Sequence, residues 1–527
     1  MKDKTMRSRL FHLLLILFIT WLLLMIITAC NPMENIIYDV PDSQEDALLG
    51  SERDGLQTLS DIPYYQIDIE VDFDKGTYKG SARIDYVNLE DTGLKSLYFR
   101  LFPNGGGIYG SGFLKVGSVK VDGKEAITVL SVDDSVMEVV LTEELSSGES
   151  IEIEIDFNGM TSGEAEMDYG IHNTAGGVMT LSGWYPILVV YDDEGWNIDP
   201  VTNIGDSVYS DTAFYDIELT ASEDLEVIST GIIAESKNTG DKQKKYKMIS
   251  GPSRDFFIVL GKDFEVLGSS YGGTEINAYY LGGHKDSAQK TLDIAKGALE
   301  TFNKRFGTYP YAEMDLVELP VDRSIGIEFP GIMLISTPVY GNEIFTSHEI
   351  AHQWWYNLVG NDVIDEPWLD EALASYSSIV YFELNAPEAE YYGILDYFES
   401  EYKSNLEADE DDIVTGSLDH FEGLGGRHYY QIVYVKGALF FDALRETIGD
   451  EAFFNGLHDY FKQNKYGIAS TVDLLDLFEE VSGIQLDDLY QEWLYGITED
   501  TLTAAYNGTE YPKLILKQSV TKVVFNN

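Results

Sequence analysis

The spacing of hydrophobic residues changes near residue 268, and a weak strand-like pattern returns in the last thirty residues. Upstream, apolar residues occupy every second position, a pattern that favours half-buried strands, as in residues 65–73 and 151–157. Downstream, apolar residues recur every three or four positions, as expected of amphipathic helices. The first such helix is predicted from Ala288, Leu292, Ala295, Leu299, Phe302 and Phe306. The chain is therefore predicted to be a multidomain α+β protein.

The same patterns divide the 527 residues into regions, and a chain of this length can bury several cores. A β-rich N-terminal domain is predicted over residues 61–268 and a mainly helical domain over residues 269–497. Near the end of the helical domain, Ser470 and Thr471 offer N-caps and Gly483 offers a C-terminal stop. A C-terminal tail is predicted over residues 498–527.

The first thirty residues have the composition of an export signal. Four basic residues precede an apolar run over residues 10–27, and Ala29 and Cys30 follow. This order predicts a signal peptide over residues 1–29. Residues 27–30 resemble a bacterial lipobox, in which the cysteine carries the lipid, so Cys30 is the predicted site of lipid attachment. An uncleaved membrane anchor is the alternative, because the run approaches the length of a spanning helix.

Both the lipidated cysteine and the uncleaved anchor predict an extracytoplasmic protein of the cell envelope that is held at the membrane. The polar residues 30–60 are predicted to be a flexible tether between the lipidated cysteine and the folded domains. Because Cys30 is the only cysteine, no intrachain disulfide can form.

The chain is strongly acidic, with 90 acidic residues against 35 basic ones and a formal net charge of -55. Such a polyanion repels phosphate backbones, which excludes nucleic acids as partners. The acidity indicates a solvated surface that resists aggregation, and the alternative is that it steers cationic peptides toward a cleft. A monomer is expected.

A His-Glu-x-x-His motif lies at residues 348–352, within the helical part of the chain. Side chains four positions apart share one face of a helix, so His348 and His352 can bind the same zinc ion. The intervening Glu349 can then face a water molecule and act as a general base. The alternative is two partly buried helix histidines beside a surface glutamate. Acidic residues are too abundant in this chain for composition to identify a third ligand.

Three motifs in a fixed order resemble the M1 (gluzincin) aminopeptidase family. Residues 348–355 read HEIAHQWW, and residues 368–371 read WLDE. Before them, residues 326–331 read GIEFPG, and after them residues 434–437 read YVKG. The resemblance covers about residues 60–497. It implies an N-terminal β-sandwich or saddle domain followed by a mainly helical, thermolysin-like catalytic domain.

The family resemblance also implies residue roles. It assigns one zinc ion per chain to His348, His352 and Glu371, the last lying nineteen positions after His352. It implies that Glu349 is the general base and that the phenol of Tyr434 stabilises the oxyanion of a peptide substrate.

By the same resemblance, Glu328, together with Gly326, would bind the free α-amino group of the peptide. The chain departs from the family at Ile327 and Phe329, where many members carry Met and Asn, and at Ala372, where glycine is common. These changes leave specificity open.

A second group for the α-amine is common in the family, but residues 178–186, where it is expected, contain no acid or amide. Three functions therefore remain open from the sequence. An aminopeptidase is favoured, an endopeptidase of the same class is the second possibility, and a peptide-binding lipoprotein without catalysis is the third.

Overall fold

The computed structural model of the protein describes residues 41–59, 61–163, 169–205 and 208–496. Within these ranges, strands dominate up to Tyr280 and helices dominate from Lys285, which confirms the α+β prediction. A search of the same ranges finds no helix with the length and apolar character needed to cross a bilayer. The predicted signal peptide, Cys30 and the predicted C-terminal tail lie outside the described residues.

The strands of the first region are β1 (Tyr64–Asp72), β2 (Thr77–Val87), β3 (Leu94–Arg100), β4 (Phe113–Val121), β5 (Lys124–Glu125), β6 (Ile127–Ser131), β7 (Val136–Leu145), β8 (Ser150–Met160), β9 (Thr174–Ala175), β10 (Val178–Leu181), β11 (Ile187–Leu188), β12 (Tyr191–Asp192), β13 (Gly195–Trp196), β14 (Phe214–Ser222), β15 (Glu226–Ser229), β16 (Ile232–Gly240), β17 (Gln243–Ile249) and β18 (Ile258–Gly261).

These strands build a β domain around one large sheet. Its eight strands follow the order β16-β17-β14-β1-β2-β8-β4-β5, and β1 and β14 run parallel. Two four-stranded sheets, β15-β18-β10-β9 and β11-β3-β7-β6, contribute to the same hydrophobic core. Along β1, Tyr65, Ile67, Ile69 and Val71 are buried while their neighbours are exposed or half-buried. The predicted alternation is therefore confirmed.

A separate five-stranded sheet opens the region that follows the β domain. Its strands are β19 (Glu265–Tyr271), β20 (Thr274–Tyr280), β21 (Glu313–Leu319), β22 (Gly326–Phe329) and β23 (Ile332–Ser336), in the order β19-β20-β21-β23-β22. The domain boundary predicted between residues 268 and 269 falls inside β19, which pairs with β20 in this sheet. Strand β22 forms one edge and runs antiparallel to β23.

The helices are α1 (Lys285–Arg305), α2 (Glu343–Ala351), α3 (Trp368–Asn385), α4 (Glu388–Ala408), α5 (Leu418–Glu422), α6 (Gly426–Tyr429), α7 (Gly437–Ile448), α8 (Asp450–Asn464), α9 (Thr471–Ser482) and α10 (Asp487–Trp493).

Two of these helices confirm predicted signals. Helix α1 buries the apolar positions identified from the sequence, up to Phe302. Helix α9 begins at a capping box in which Ser470 and Asp473 satisfy each other's backbone, and it ends at Gly483 in the left-handed conformation. A π-helical turn, Tyr430–Lys436, joins α6 to α7.

The predicted flexible tether over residues 30–60 is wrong for its second half. Residues Asp42–Ala47 and Arg53–Leu59 form 3-10 helices, and Leu48 and Leu56 are each only 1% exposed. Isolated hydrophobic side chains in a polar segment can still pack into a core. The polar composition of residues 30–60 therefore gave no indication that Leu48 and Leu56 are buried. We call residues 41–59 the N-terminal strap.

The two regions meet through paired aromatic rings and one buried cation. The rings of Phe257 in the β domain and Phe329 on β22 stack with centroids 3.7 Å apart. The guanidinium of Arg254 is buried and donates to the carbonyl oxygens of Ser210 (3.1 Å), Tyr356 (2.6 Å) and Gly467. The edge strand β22 is thereby held against the β domain.

Candidate metal centre

Helix α2 carries the first two predicted ligands on one face. The helix starts at a cap in which Asn342 accepts hydrogen bonds from the backbone N–H groups of Ile344 (3.0 Å) and Phe345 (3.3 Å). One turn apart near its end, His348 and His352 bring their Nε2 atoms within 3.1 Å of each other. His352 is fully buried.

Helix α3 supplies the third group. The Oε2 atom of Glu371 lies 3.2 Å from Nε2 of His348 and 3.3 Å from Nε2 of His352. The start of this helix is fixed by Trp368, which is fully buried and donates from its indole nitrogen to Thr471 on α9 (2.9 Å). The tryptophan next to the ligand is therefore a core residue.

The spacing of these three atoms fits zinc. Tetrahedral zinc with bonds of 2.0–2.2 Å to nitrogen and oxygen requires ligand atoms about 3.3–3.5 Å apart. The observed separations of 3.1, 3.2 and 3.3 Å nearly match that requirement. Two imidazoles and one carboxylate are also a donor set found in catalytic zinc sites, which keep a fourth position for water.

Hydrogen bonding orients the His352 ring for this role. Its Nδ1 atom lies 3.0 Å from the carbonyl oxygen of Trp355, so Nδ1–H donates there and Nε2 keeps its lone pair for a metal. Burial lowers the pKa of His348, which favours the neutral imidazole that metals require.

The charges of the site favour a cation. Burial alone would raise the pKa of Glu371, but the adjacent His348 and His352 outweigh burial and lower it to about 2. Burial disfavours a proton on His352, yet Glu328, Glu371 and Glu349 together raise the pKa of this histidine well above its usual range. Three carboxylates around one buried imidazole thus create a strongly negative environment that a divalent cation would neutralise.

Glu349 lies against strand β22 and is 3% exposed. A Cβ atom built on Gly326 would sit 2.2 Å from Oε1 of Glu349 and 2.5 Å from its Cδ. Only a glycine at residue 326 therefore allows the carboxylate to occupy this place. Gly326, predicted to bind the α-amino group, is thus required here for its close packing against Glu349, the predicted general base.

Glu328 projects from strand β22 toward Glu349 and His352. It is 6% exposed, and its Oε1 lies 3.5 Å from Nδ1 of His352. One carboxylate oxygen each from Glu328 and Glu349 lies within 4.8 Å of the other and of a His352 nitrogen. Two adjacent carboxylates beside the ligands can hold a positively charged amine.

Gln353 fixes the strand that carries Glu328, a role that the sequence analysis did not find. Its side chain donates to the carbonyl of Phe329 (3.0 Å) and accepts from the N–H of Gly331 (2.8 Å). The turn between β22 and β23 is thereby attached to the residue that directly follows His352. That adjacency is the only sequence signal for it.

Tyr434 projects from the π-helical turn toward the ligands. Its hydroxyl donates to Oε1 of Glu371, and its ring stacks on that of His348 with centroids 5.6 Å apart. π-Helical turns are frequent at functional sites. The phenol therefore stands beside the ligand cluster, on the side of His348, whereas Glu328 stands on the side of His352.

The structure thus brings together all the residues that the sequence predicted for the site, except Cys30, which lies outside the described residues. These residues are Gly326, Glu328, His348, Glu349, His352, Glu371 and Tyr434. The arrangement can bind a metal, hold a proton on Glu349 and donate a hydrogen bond from Tyr434.

Comparison with known proteins gives a consistent result. Residues 290–493 match the family described as "Peptidase family M1 domain". Aminopeptidase M1-B of Oryza sativa subsp. japonica is 30% identical over 253 residues, which cover 45% of this chain and 28% of that protein. Aminopeptidase 2 of Candida albicans is 23% identical over 487 residues, covering 86% and 49%. The chain thus spans about half the length, or less, of the curated relatives it matches.

The fold also resembles a solved structure, that of an M1 zinc metallopeptidase from Deinococcus radiodurans. The TM-score is 0.63 at 18% identity, and the match covers 83% of this chain and 94% of that one. This likeness supports the observed order of a multi-sheet β domain followed by a mainly helical domain.

Proposed function

We propose that the chain, whose residues 290–493 match the peptidase family M1 domain, is a zinc-dependent aminopeptidase of that family. The observation that carries the proposal is that a metal-ligand set and a carboxylate able to bind an amine lie side by side. His348, His352 and Glu371 form a ligand set with zinc-like spacing, and a buried Glu328 lies beside it, 3.5 Å from His352. A peptidase that cuts at the first residue needs both.

Each residue has a distinct part in the reaction. Zinc held by the three ligands would supply Lewis acidity and make a water molecule a stronger acid near neutral pH. Glu349 takes a proton from the attacking water as the new carbon–oxygen bond forms. It then gives that proton to the leaving nitrogen as the peptide bond breaks. The Tyr434 hydroxyl turns from Glu371 to donate to the oxyanion of the tetrahedral intermediate.

Glu328 selects the end of the peptide. A free α-ammonium group forms a charge-assisted hydrogen bond with this buried carboxylate, and a blocked N-terminus lacks the charge. Because Glu328 lies beside the proposed ligand His352, an amine bound to Glu328 would bring the first peptide bond of the substrate close to the metal site. This arrangement favours removal of single N-terminal residues.

The test uses one peptide in two forms, with a free and with an acetylated N-terminus, and reads the products by mass. The protein from residue 31 onward is loaded with zinc, and its Glu349→Gln variant serves as the blank. Stepwise loss of N-terminal residues from the free peptide alone supports the proposal. Internal cuts in both forms would make the protein an endopeptidase of the same class. Zinc binding with no turnover of either form would indicate a peptide-binding protein.

One isosteric variant, compared with the wild type, tests Glu328 itself. Glu328→Gln keeps the size of the side chain but removes the charge, and we expect KM for the free peptide to rise by about 10- to 100-fold, which corresponds to the loss of a charged hydrogen bond. The zinc content should remain unchanged, because Glu328 is not among the three proposed ligands. An unchanged KM would remove Glu328 from amine binding.

We further propose that the protein acts at the cell envelope, held by a lipid on Cys30. The support is the sequence of residues 1–30 described above. The test is detergent partitioning of the full chain and of a Cys30→Ser variant. Recovery of the wild type in the detergent phase and of the variant in the aqueous phase is expected. Identical partitioning of both would contradict lipid attachment.

A further inference from the structure

The buried lysine of the last motif, Lys436, is the strongest unexplained feature near the metal centre. Its side chain is fully buried, although ammonium groups are rarely buried without a purpose. The Nζ atom donates to Oδ1 of Asp411 and to the backbone carbonyl of Asp412, each at 2.7 Å. It also lies 5.8 Å from the ring centroid of Tyr402. No part of the proposed reaction uses this group.

The segment that Lys436 binds is itself fixed from the other side. We call residues 409–417, between α4 and α5, the acidic loop. Oδ2 of Asp412 accepts hydrogen bonds from Nε2 of His420 (2.9 Å) on α5 and from Nε2 of His428 (3.1 Å) on α6. One carboxylate therefore joins the acidic loop to the two helices that precede the π-helical turn. The Asp412 carboxylate thus holds the acidic loop on the side opposite its contact with Lys436.

Lys436 and Tyr434 belong to the same π-helical turn and point in different directions. Side chains two positions apart on a helix do not share a face. Tyr434 extends toward Glu371 and His348, whereas Lys436 extends away from them, into the acidic loop. A contact behind the turn thus fixes the orientation of the turn, and with it the position of the phenol.

We propose that Lys436, bound to Asp411 and to the Asp412 carbonyl, is a positioning residue that sets the place of the Tyr434 hydroxyl beside the metal ligands. A buried ion pair contributes little net stability, because desolvation offsets the attraction, but it can specify one arrangement. This inference rests on the proposed function, in which the Tyr434 phenol stabilises the oxyanion. It assigns the lysine a role that acts only through Tyr434.

A double-mutant cycle tests this dependence. The variants are Lys436→Met, Tyr434→Phe and the two combined, each assayed with the free-N-terminal peptide. For Lys436→Met alone, we expect kcat to fall about tenfold, with KM changed less than about twofold. In the Tyr434→Phe background the same change should lower kcat by less than about twofold, because no phenol remains to be positioned. Losses that multiply in the double variant would overturn the proposal.

Two further variants separate positioning from stability. Asp411→Asn removes the charge from the half-exposed partner of the ion pair, so it tests the same contact if Lys436→Met does not fold. Lys465→Met is the matched control, since this lysine forms a 2.9 Å ion pair with Glu52 away from Tyr434. Asp411→Asn should lower kcat in the same Tyr434-dependent way, and Lys465→Met should leave kcat unchanged.

Hydrogen exchange gives a readout that needs no turnover. Amides of residues 430–436 should exchange at least about tenfold faster in Lys436→Met than in the wild type, whereas α8 should be unaffected. Unchanged exchange over residues 430–436 would overturn the positioning role. If the wild type shows no peptidase activity, the proposed function fails, and the exchange result still decides whether Lys436 orders the turn.

Discussion

Gly326 is the residue at which one added methyl group would reach the general base. Its Cβ would lie 2.2 Å from Oε1 of Glu349, well inside contact distance. We predict that Gly326→Ala displaces this carboxylate and lowers kcat by about 100-fold, as a misplacement of about 1 Å in an active site can do. Steady-state kinetics and zinc analysis check this, and the zinc content should be retained.

The control for Gly326→Ala is Gly393→Ala on helix α4. No atom lies within 4 Å of a Cβ at that position, so this substitution adds a methyl group in open space. It should leave kcat unchanged and slightly favour the helix. Full activity in Gly326→Ala would mean that Glu349 can move without loss and would contradict its assignment as the base.

Glu349→Gln separates proton transfer from metal binding. The amide has the same shape but accepts protons poorly, so we expect kcat to fall by about 10²- to 10⁴-fold, the usual contribution of a general base. KM and zinc stoichiometry should hardly change, because Glu349 is outside the ligand triplet. A parallel loss of zinc would show that Glu349 is instead a ligand.

The sequence identified the side chains to which we assign the chemistry, but it did not identify the residues that position those side chains. The four-residue spacing of His348 and His352 places both on one helix face, and the roles of Glu371 and Tyr434 followed from the resemblance to the family motifs. Gln353 lies within a motif, but its contact with Phe329, 24 positions away, exists only in three dimensions. Lys436 also lies within a motif, but its burial and its partners become visible only in the structure.

At the scale of elements, helices α7 and α3 can approach closely because residue 437 is a glycine. A Cβ on Gly437 would lie 2.5 Å from Cβ of Ala372, the residue that follows the ligand Glu371. We predict that Gly437→Ala forces the helices apart and lowers the free energy of unfolding by about 1–3 kcal/mol, as overpacking does. Urea unfolding followed by circular dichroism measures this change.

A substitution at Ala372, on the opposite helix, should compensate for Gly437→Ala. Ala372→Gly removes the opposing methyl group, so the double variant should recover most of the lost stability apart from about 1 kcal/mol for glycine in a helix. Because Ala372 adjoins Glu371, the single variant Gly437→Ala should also bind zinc more weakly. No recovery in the double variant would show that the close contact is not the cause.

Strands were predicted from the sequence where one face is exposed to solvent, and they were missed where both faces are buried. Strand β1 alternates buried and exposed residues, so its period of two was visible. Strand β23 is buried at all five positions and β21 at six of seven, so neither shows alternation. The sequence therefore predicted a mainly helical second domain and missed the sheet that opens it, in which β20 alternates but the central strands β21 and β23 do not.

At the scale of the whole molecule, the N-terminal strap joins the two domains. The Gln44 side chain donates to the carbonyl of Tyr215 and accepts from the N–H of Gly251, both in the β domain. A few residues later, the N–H of Leu49 donates to the carbonyl of Pro310, and the carbonyl of Ala47 accepts from Ala312 in the catalytic domain. The sequence did not predict that these residues connect the two domains, because the segment is mostly polar and only a few of its residues are buried.

The strap therefore makes a prediction about domain coupling, argued from Leu48. This side chain is 1% exposed and lies in the core of the catalytic domain, although it belongs to a segment whose preceding turn is bonded to the β domain. Leu48→Ala should lower the free energy of unfolding by about 2–5 kcal/mol through lost burial and a residual cavity. Asp46→Ala, two positions away with a side chain 67% exposed, should change it by less than about 0.5 kcal/mol.

Urea unfolding of both variants decides between a strap and a tether. If the strap couples the domains, Leu48→Ala should also expose the junction around Tyr311 and Pro310 to limited proteolysis before the rest of the chain is cut, because local opening precedes global unfolding where the packing is lost. If Leu48→Ala and Asp46→Ala behave alike in both measurements, the segment contributes nothing to the fold. The strap would then have no part in joining the two domains, and that role would fall to their other contacts, among them Arg254, the Phe257–Phe329 stack and the hydrogen bond from Tyr311 to the Pro252 carbonyl.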